Sequence, residues 1–210
     1  IVSIGPELFP AARPFPVNDT NGPMLAAQAT TAGATVIRVE RCTGNLDDLT
    51  RLLDELAKDS DLILTSGGIS NSAADTMTDV LAIQSNAELW NVRLRPGKHF
   101  GAGYLEGHTI LALPGNPVAA FVGFELIGRL ALDLMAGRAI DRLVHSAIAA
   151  EPLSGTPERT EALRGHAWTD RGGQLLVAPN EQRGSGIVSS LPAANCLIML
   201  PETIEAVEQG

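Results

Sequence analysis

Aromatic residues make up only 4% of this 210-residue chain, so its core must be built mostly from Leu, Val, Ile and Ala. Lys and Arg together number 15 against 24 Asp and Glu, a formal net charge of −9, with no basic stripe and no interleaving of basic with aromatic residues. That balance excludes non-specific nucleic-acid binding, which needs clustered cations. The two cysteines, Cys42 and Cys196, lie far apart with no CxxC spacing, and His99, His108, His145 and His166 are scattered. A disulfide framework and a zinc site are both disfavoured, and a reducing, cytoplasmic setting is expected. No run of about 18 or more apolar residues occurs, so no membrane helix is expected, and no signal peptide is visible. The chain has no initiator Met; Ile1-Val2-Ser3-Ile4 reads as a strand already under way, as in a fragment of a longer protein.

What is present is glycine at particular junctions. Ile4-Gly5-Pro6-Glu7, Thr65-Ser66-Gly67-Gly68-Ile69-Ser70 and Leu113-Pro114-Gly115-Asn116-Pro117 each follow a short apolar run. Strand-to-helix turns gather at the carboxyl edge of an α/β sheet, where ligands bind. Glycine admits close backbone approach, and a helix N-terminus offers N–H groups to an anion. The three junctions therefore predict a single pocket for an anionic small molecule.

The periodicity predicts strands at Ile1–Ile4, Thr35–Val39 and Leu62–Leu64, and a hairpin of His99–Tyr104 with Thr109–Leu113 around Glu106-Gly107. Helices are predicted from Pro23 to Ala32 behind Asp19-Thr20-Asn21, from the Asn45 cap to Lys58, from Asp75 to Ala82, and from Pro117 to Met135 with Gly137 closing it. Glu88–Leu94 alternates as a strand. The fold class expected for residues 1–142 is α/β, a three-layer, mostly parallel sheet. Residues 143–210 carry short β-like runs split by Gly, Pro and Ser, as in a small all-β barrel with its last strand missing.

Within the turns, Gly67 and Gly68 allow positive φ and a concave row of N–H donors, to which Thr65, Ser66 and Ser70 add hydroxyls. Pro114 and Pro117 stiffen a loop in which Asn116 can cap the following helix, with Gly115 between them. Glu7 and Asp75 both point to the same sheet edge and could hold Mg²⁺, or act as capping or solvated carboxylates. Arg95 and Lys98 flank Pro96-Gly97 and could receive an oxyanion or form a surface charge pair. Arg164, and Ser185 within Gly184-Ser185-Gly186, read by themselves as ordinary barrel residues.

In order and spacing these segments, with Asp19-Thr20-Asn21, Asp79-Val80-Leu81, Phe124-Glu125, Leu163-Arg164-Gly165 and Ser189-Ser190, resemble the molybdopterin molybdenumtransferase family (MoeA) and the related E domain of gephyrin. The resemblance spans nearly the whole chain. It implies a molybdopterin-binding α/β domain followed by most of a β-barrel domain. It also implies insertion of molybdate into adenylylated molybdopterin with release of AMP, use of Mg²⁺, and a homodimer. By resemblance Glu7 and Asp75 match acidic, metal-holding positions, Pro114 and Pro117 the molybdate pocket, Arg164 the family's arginine and Ser185 its serine. The chain departs from the family at Gly44-Asn45 and Ala73, where carboxylates are usual or frequent, at Asn91, and at Arg95-Pro96-Gly97-Lys98-His99, where the family has KPGKP. Alternatives are an adenylyltransferase relative that activates molybdopterin with ATP, and a non-catalytic pterin-binding or scaffold module. The isolated fragment is expected to bind ligand but not to turn over.

Overall fold

The computed structural model describes the chain apart from residues 12–14, 16, 71–74, 84–86, 106, 141–143, 181–183, 185 and 186. It divides into two compact units, Ile1–Val92 with Gly97–Ala139, and Arg93–Pro96 with Ile140–Gly210. The boundary expected at Arg142 falls on residues outside those described.

The first unit follows the chain as β1 (Val2–Ile4), α1 (Asn21–Thr31), β2 (Glu40–Cys42), α2 (Leu46–Ala57), β3 (Leu62–Ser66), α3 (Thr76–Ile83) and β4 (Glu88–Asn91). After the excursion of β5 (Leu94–Arg95) into the second unit come β6 (His99–Leu105), β7 (His108–Leu113) and α4 (Pro117–Gly123). One six-stranded sheet results, in the order β2-β1-β3-β7-β6-β4. Its first four members are parallel, and β6 runs antiparallel to β7 and to β4. The carboxyl ends Ile4, Cys42, Ser66 and Leu113 therefore share one edge.

Helices cover both faces. Asn45 caps α2 by accepting from the Asp48 N–H at 3.2 Å, and Leu49, Leu53 and Leu56 follow at helical spacing on the buried stripe. They pack with Met77, Val80 and Leu81 of α3 against Val2, Ile63, Ile110 and Ala112 of the sheet. Leu64, Leu111 and Leu113 are also buried and alternate with those strand residues, so they face the opposite side, where α1 packs on α4.

Two local expectations need correction. Thr35–Val39 is not a strand; the strand is the short, polar Glu40–Cys42. Parallel register sets Val2 opposite Glu40, the Arg38 carbonyl accepts from the Ile1 amino group at 2.9 Å, and Ile37 and Val39 stand 50% and 44% exposed. The helix expected to run without interruption from Pro117 to Met135 contains a π-helical turn, Phe124–Gly128, between α4 and α5 (Arg129–Met135). Gln28 of α1 serves this turn, its amide nitrogen donating to the Phe121 carbonyl (3.2 Å) and to Glu125 (2.8 Å). The Phe121 carbonyl, which also receives the Phe124 N–H, and the Glu125 side chain thus share one glutamine donor where the wider turn begins.

The second unit is all β: β8 (Ile148–Ala149), β9 (Leu153–Ser154), β10 (Thr160–Thr169), β11 (Leu175–Pro179), β12 (Cys196–Leu200) and β13 (Ala206–Val207). A five-stranded sheet has the path β12-β10-β11-β8, with β5 paired in parallel to the start of β10, and β9 pairs with β13 separately. Ala149, Leu153, Val177, Ile198 and Leu200 form its core, with Leu163 and Val207 packed against them.

Candidate functional site

The four parallel carboxyl ends open onto a cleft of about 1090 Å³, lined by the loops that follow β1, β2, β3 and β7 and by the residues that lead into α1. Gly5, Ser66, Gly67, Gly68 and Gly115 all line it, so the three glycine junctions converge on one cavity.

Close backbone contact explains the glycines. Gly67 stands at φ +101, and a Cβ there would fall 2.1 Å from the Ile4 carbonyl oxygen. A Cβ on Gly115 would meet the Gly67 Cα at 3.2 Å. The loops after β1, β3 and β7 thus touch through bare backbone.

Side chains lock the same corner. The Asn21 amide nitrogen donates both to Ser66 Oγ and to the Gly115 carbonyl oxygen, each at 2.8 Å. Ser66 Oγ in turn donates to the Pro114 carbonyl at 2.8 Å. Asp19 Oδ1 accepts from Ser3 Oγ (2.8 Å) and from the Gly22 N–H (3.0 Å). The sequence marks Asp19 and Asn21 as helix-capping residues and as part of the family resemblance, but not as ties between the loops. The signal that would have singled them out is Ser3, a small polar residue inside an otherwise apolar strand and 2% exposed, which must have a partner.

The amide donors are fewer than the glycine pattern suggests. The Gly67 N–H donates to the Leu113 carbonyl (3.1 Å) and the Gly5 N–H to the Cys42 carbonyl (2.9 Å). Asn116 Oδ1 takes the N–H groups of Val118 and Ala119, capping α4. Gly68, Ile69, Gly115 and Asn116 keep backbone N–H groups that no described residue accepts from. The Gly68 carbonyl faces the other way and receives the Met77 and Thr78 N–H groups at the start of α3.

Of the predicted binding residues, Ser66, Gly67, Gly68, Ser70, Lys98, Pro114, Gly115, Asn116 and Pro117 line the cleft. Thr65 does not: it is fully buried within β3, and strand alternation turns its side chain to the sheet face opposite that of Ser66. Glu7 and Asp75 both line the cleft. Asp75 is 8% exposed and accepts from Ser70 Oγ at 3.0 Å, and the Glu7 carboxylate folds over the bare Gly5 backbone. Asp19 adds a third carboxylate to the lining, and Lys98 is its only Lys or Arg among the described residues. No set of three or more His, Cys, Asp or Glu among the described residues is close enough to enclose a metal.

Arg95 and Lys98 part company. Arg95 belongs to the second unit, where it pairs with the buried carboxylate of Glu161 at 3.2 Å and donates to Thr156 at 2.9 Å. Arg164 also belongs there, 6% exposed, with a guanidinium nitrogen donating to the Gly184 carbonyl at 3.3 Å. Burial pushes its guanidinium below the ordinary arginine range. Ser185 and Ala73 lie outside the described residues. Gly44 and Asn45 line the cleft where the family resemblance implies carboxylates, and Thr76 Oγ1 donates to the Gly44 carbonyl.

A mostly parallel sheet with a glycine-built cleft at its carboxyl edge defines an α/β domain of the kind that binds anionic small molecules. Residues 1–133 match the family described as "Probable molybdopterin binding domain", and the chain belongs to that family. Residues 146–210 match the "MoeA C-terminal region (domain IV)". Over its whole length the chain is 30% identical to molybdopterin molybdenumtransferase 2 of Mycobacterium tuberculosis, of which it covers 54%. It is 29% identical to the molybdopterin molybdenumtransferase of Haemophilus influenzae, covering 53% of it. It thus spans about half the length of these relatives. Among solved structures, all of the chain superposes on 64% of a molybdenum cofactor biosynthesis protein from Pyrococcus furiosus, with TM-score 0.70 at 25% identity. It likewise superposes on 50% of a molybdopterin biosynthesis moeA protein from Pyrococcus horikoshii, with TM-score 0.72; at 23% identity that likeness speaks for the fold.

Proposed function

We propose that this chain carries the molybdopterin-binding cleft of a molybdopterin molybdenumtransferase, an enzyme of molybdenum cofactor biosynthesis. The reaction is insertion of molybdate into adenylylated molybdopterin, with AMP leaving. The observation that carries the reading is the convergence of the Gly5, Gly67 and Gly115 loops on one cleft, in a chain whose entire length resembles proteins named for that activity.

The cleft's own chemistry fits a phosphorylated ligand that brings a cation. An anion entering beside Glu7, Asp19 and Asp75 meets repulsion that Lys98 alone does not offset. Mg²⁺ typically takes one or two protein carboxylates and completes its shell with water and phosphate oxygens, so the absence of a three-acid cage among the described residues is compatible with it. Glu7 and Asp75 would hold it, and it would offset charge on the adenylyl phosphate. The N–H groups of Gly68, Ile69, Gly115 and Asn116 and the Lys98 ammonium would orient the anionic groups. The rigid Pro114–Pro117 loop would lower the ordering cost of binding. A homodimer in the cytoplasm completes the proposal.

Titration of the chain with molybdopterin, with and without Mg²⁺ and molybdate, tests it. Saturable binding strengthened by Mg²⁺ is expected, with AMP release from adenylylated molybdopterin as the activity of the whole protein. Lack of saturable molybdopterin binding would overturn the reading. Binding without molybdate-dependent AMP release by the whole protein would instead make this a non-catalytic pterin module.

A further inference from the structure

We infer that Asn21 is the positioning residue of this cleft: its carboxamide, acting as a double donor, sets the spacing between the Gly67 turn and the Pro114–Pro117 loop. The inference rests on the proposed function for its ligand, but its structural half can be tested without one.

Asn21 opens α1 and is 8% exposed, so its amide sits in a place where an unmade hydrogen bond costs its full desolvation. Both recipients lie 2.8 Å from one nitrogen. A primary amide nitrogen has two hydrogens, and both are spent. The Gly115 carbonyl can only accept, which fixes the nitrogen rather than the oxygen on that side. Ser66 Oγ receives the other hydrogen, so its own proton is left to travel on to the Pro114 carbonyl, 2.8 Å away. The chain of donors therefore has one direction, from Asn21 through Ser66 to the Pro114–Gly115 backbone.

The consequence for the loops is specific. The bare backbones lie close, since a Cβ on Gly115 would fall 3.2 Å from Gly67 Cα, but that closeness by itself does not pull the loops together. The pull comes from Asn21 on the Gly115 side and from the Gly67 N–H to the Leu113 carbonyl, 3.1 Å. Asp19, two residues earlier, ties the same segment to β1 through Ser3. The Asp19–Asn21 tripeptide thus links the carboxyl ends of β1, β3 and β7, and among the described residues of that tripeptide and of the two loops, Asn21 alone reaches the loops that carry the four remaining N–H donors. No group of Asn21 need touch the reacting atoms; its part is to keep those donors in register with a ligand.

Asn21→Asp is the discriminating variant, because it keeps size and shape and removes both donors. Its carboxylate would face two oxygens, Gly115 O and Ser66 Oγ, and only Ser66 could turn a proton toward it. Burial and that acceptor raise the pKa of such a carboxyl, so acid returns one donor as the O–H of the neutral form. For Asn21→Asp at pH 8 we expect molybdopterin binding weakened at least about tenfold, and much of the loss recovered near pH 5.5, while the wild-type chain shows no comparable gain on acidification. Exchange of the Gly67 amide hydrogen, read by NMR or mass spectrometry without ligand, should speed up in Asn21→Asp at pH 8 by a similar factor. Ser66→Ala, which keeps the bond to Gly115, should give a smaller change in both and serves if Asn21→Asp does not fold. Wild-type protein that fails to bind molybdopterin sinks the functional reading, and the exchange measurement then decides this inference alone. Unchanged Gly67 exchange in Asn21→Asp, or a binding loss that acid does not relieve, overturns it.

Discussion

Replacing Gly67 by Ala probes the backbone contact on which the cleft is built. The substitution meets two obstacles. At φ +101 an L side chain is strained, at a cost of roughly 1 kcal/mol or more. The added methyl would also sit 2.1 Å from the Ile4 carbonyl oxygen, which is backbone and cannot swing aside. Relief requires β1 and the Gly67 turn to move apart, and forced insertion of this kind costs about 1–3 kcal/mol more. The total is about 2–4 kcal/mol. Gly137 is the control: its φ is +64, and nothing lies within 4 Å of its Cβ position, so Gly137→Ala bears only the conformational cost of about 1 kcal/mol. For a chain of this size 1 kcal/mol corresponds to about 2–4 °C in Tm. Thermal unfolding should therefore fall by about 2–4 °C in Gly137→Ala and by roughly 5–15 °C in Gly67→Ala, and the latter should also lose molybdopterin affinity because Gly115 rests on Gly67. Equal destabilisation by the two variants would refute the close-contact argument.

Three further outcomes are expected. Leu53→Ala removes a fully buried side chain from the α2–sheet core and should cost about 2–5 kcal/mol in urea unfolding. Asn45→Ala removes the α2 cap and should cost about 1 kcal/mol by the same measurement. Burial pushes the Cys196 thiol above its ordinary range. A raised folded-state pKa leaves stability intact below the unfolded thiol's pKa of about 8.5 and removes it as pH rises beyond. The urea midpoint of the wild type should therefore decline more steeply between about pH 8 and 10 than that of Cys196→Ala.

The parts of this molecule that were legible in the sequence are those where local chemistry and tertiary context agree. Leu62-Ile63-Leu64 running into Gly67-Gly68, and Leu113 into Pro114-Gly115-Asn116-Pro117, are strand-turn signals whose glycines the packed structure also requires. The strand at Glu40–Cys42 was hidden because pairing with β1, not side-chain propensity, decides it, and the β-branched run of Thr35–Val39 has the better propensity. The π-helical turn left no local mark, since Gln28 reaches it from 93 residues away. At the site, Thr65 and Ser66 look equivalent in sequence, and only the alternation of β3 distinguishes a core hydroxyl from a cleft hydroxyl. Arg95 and Lys98 stand three positions apart yet serve different units, because the Glu161 carboxylate claims one of them.

The small strand β5 has a practical corollary for anyone recombining relatives of this chain. The polypeptide leaves the α/β unit after Val92, contributes four residues to the all-β unit, and returns at Gly97 before departing again after Ala139. A single crossover point near residue 140 would graft a foreign β unit that lacks its matched strand and would leave Arg95 without the Glu161 carboxylate it pairs with here. Chimeras should carry Arg93–Pro96 along with the C-terminal segment, as one discontinuous module.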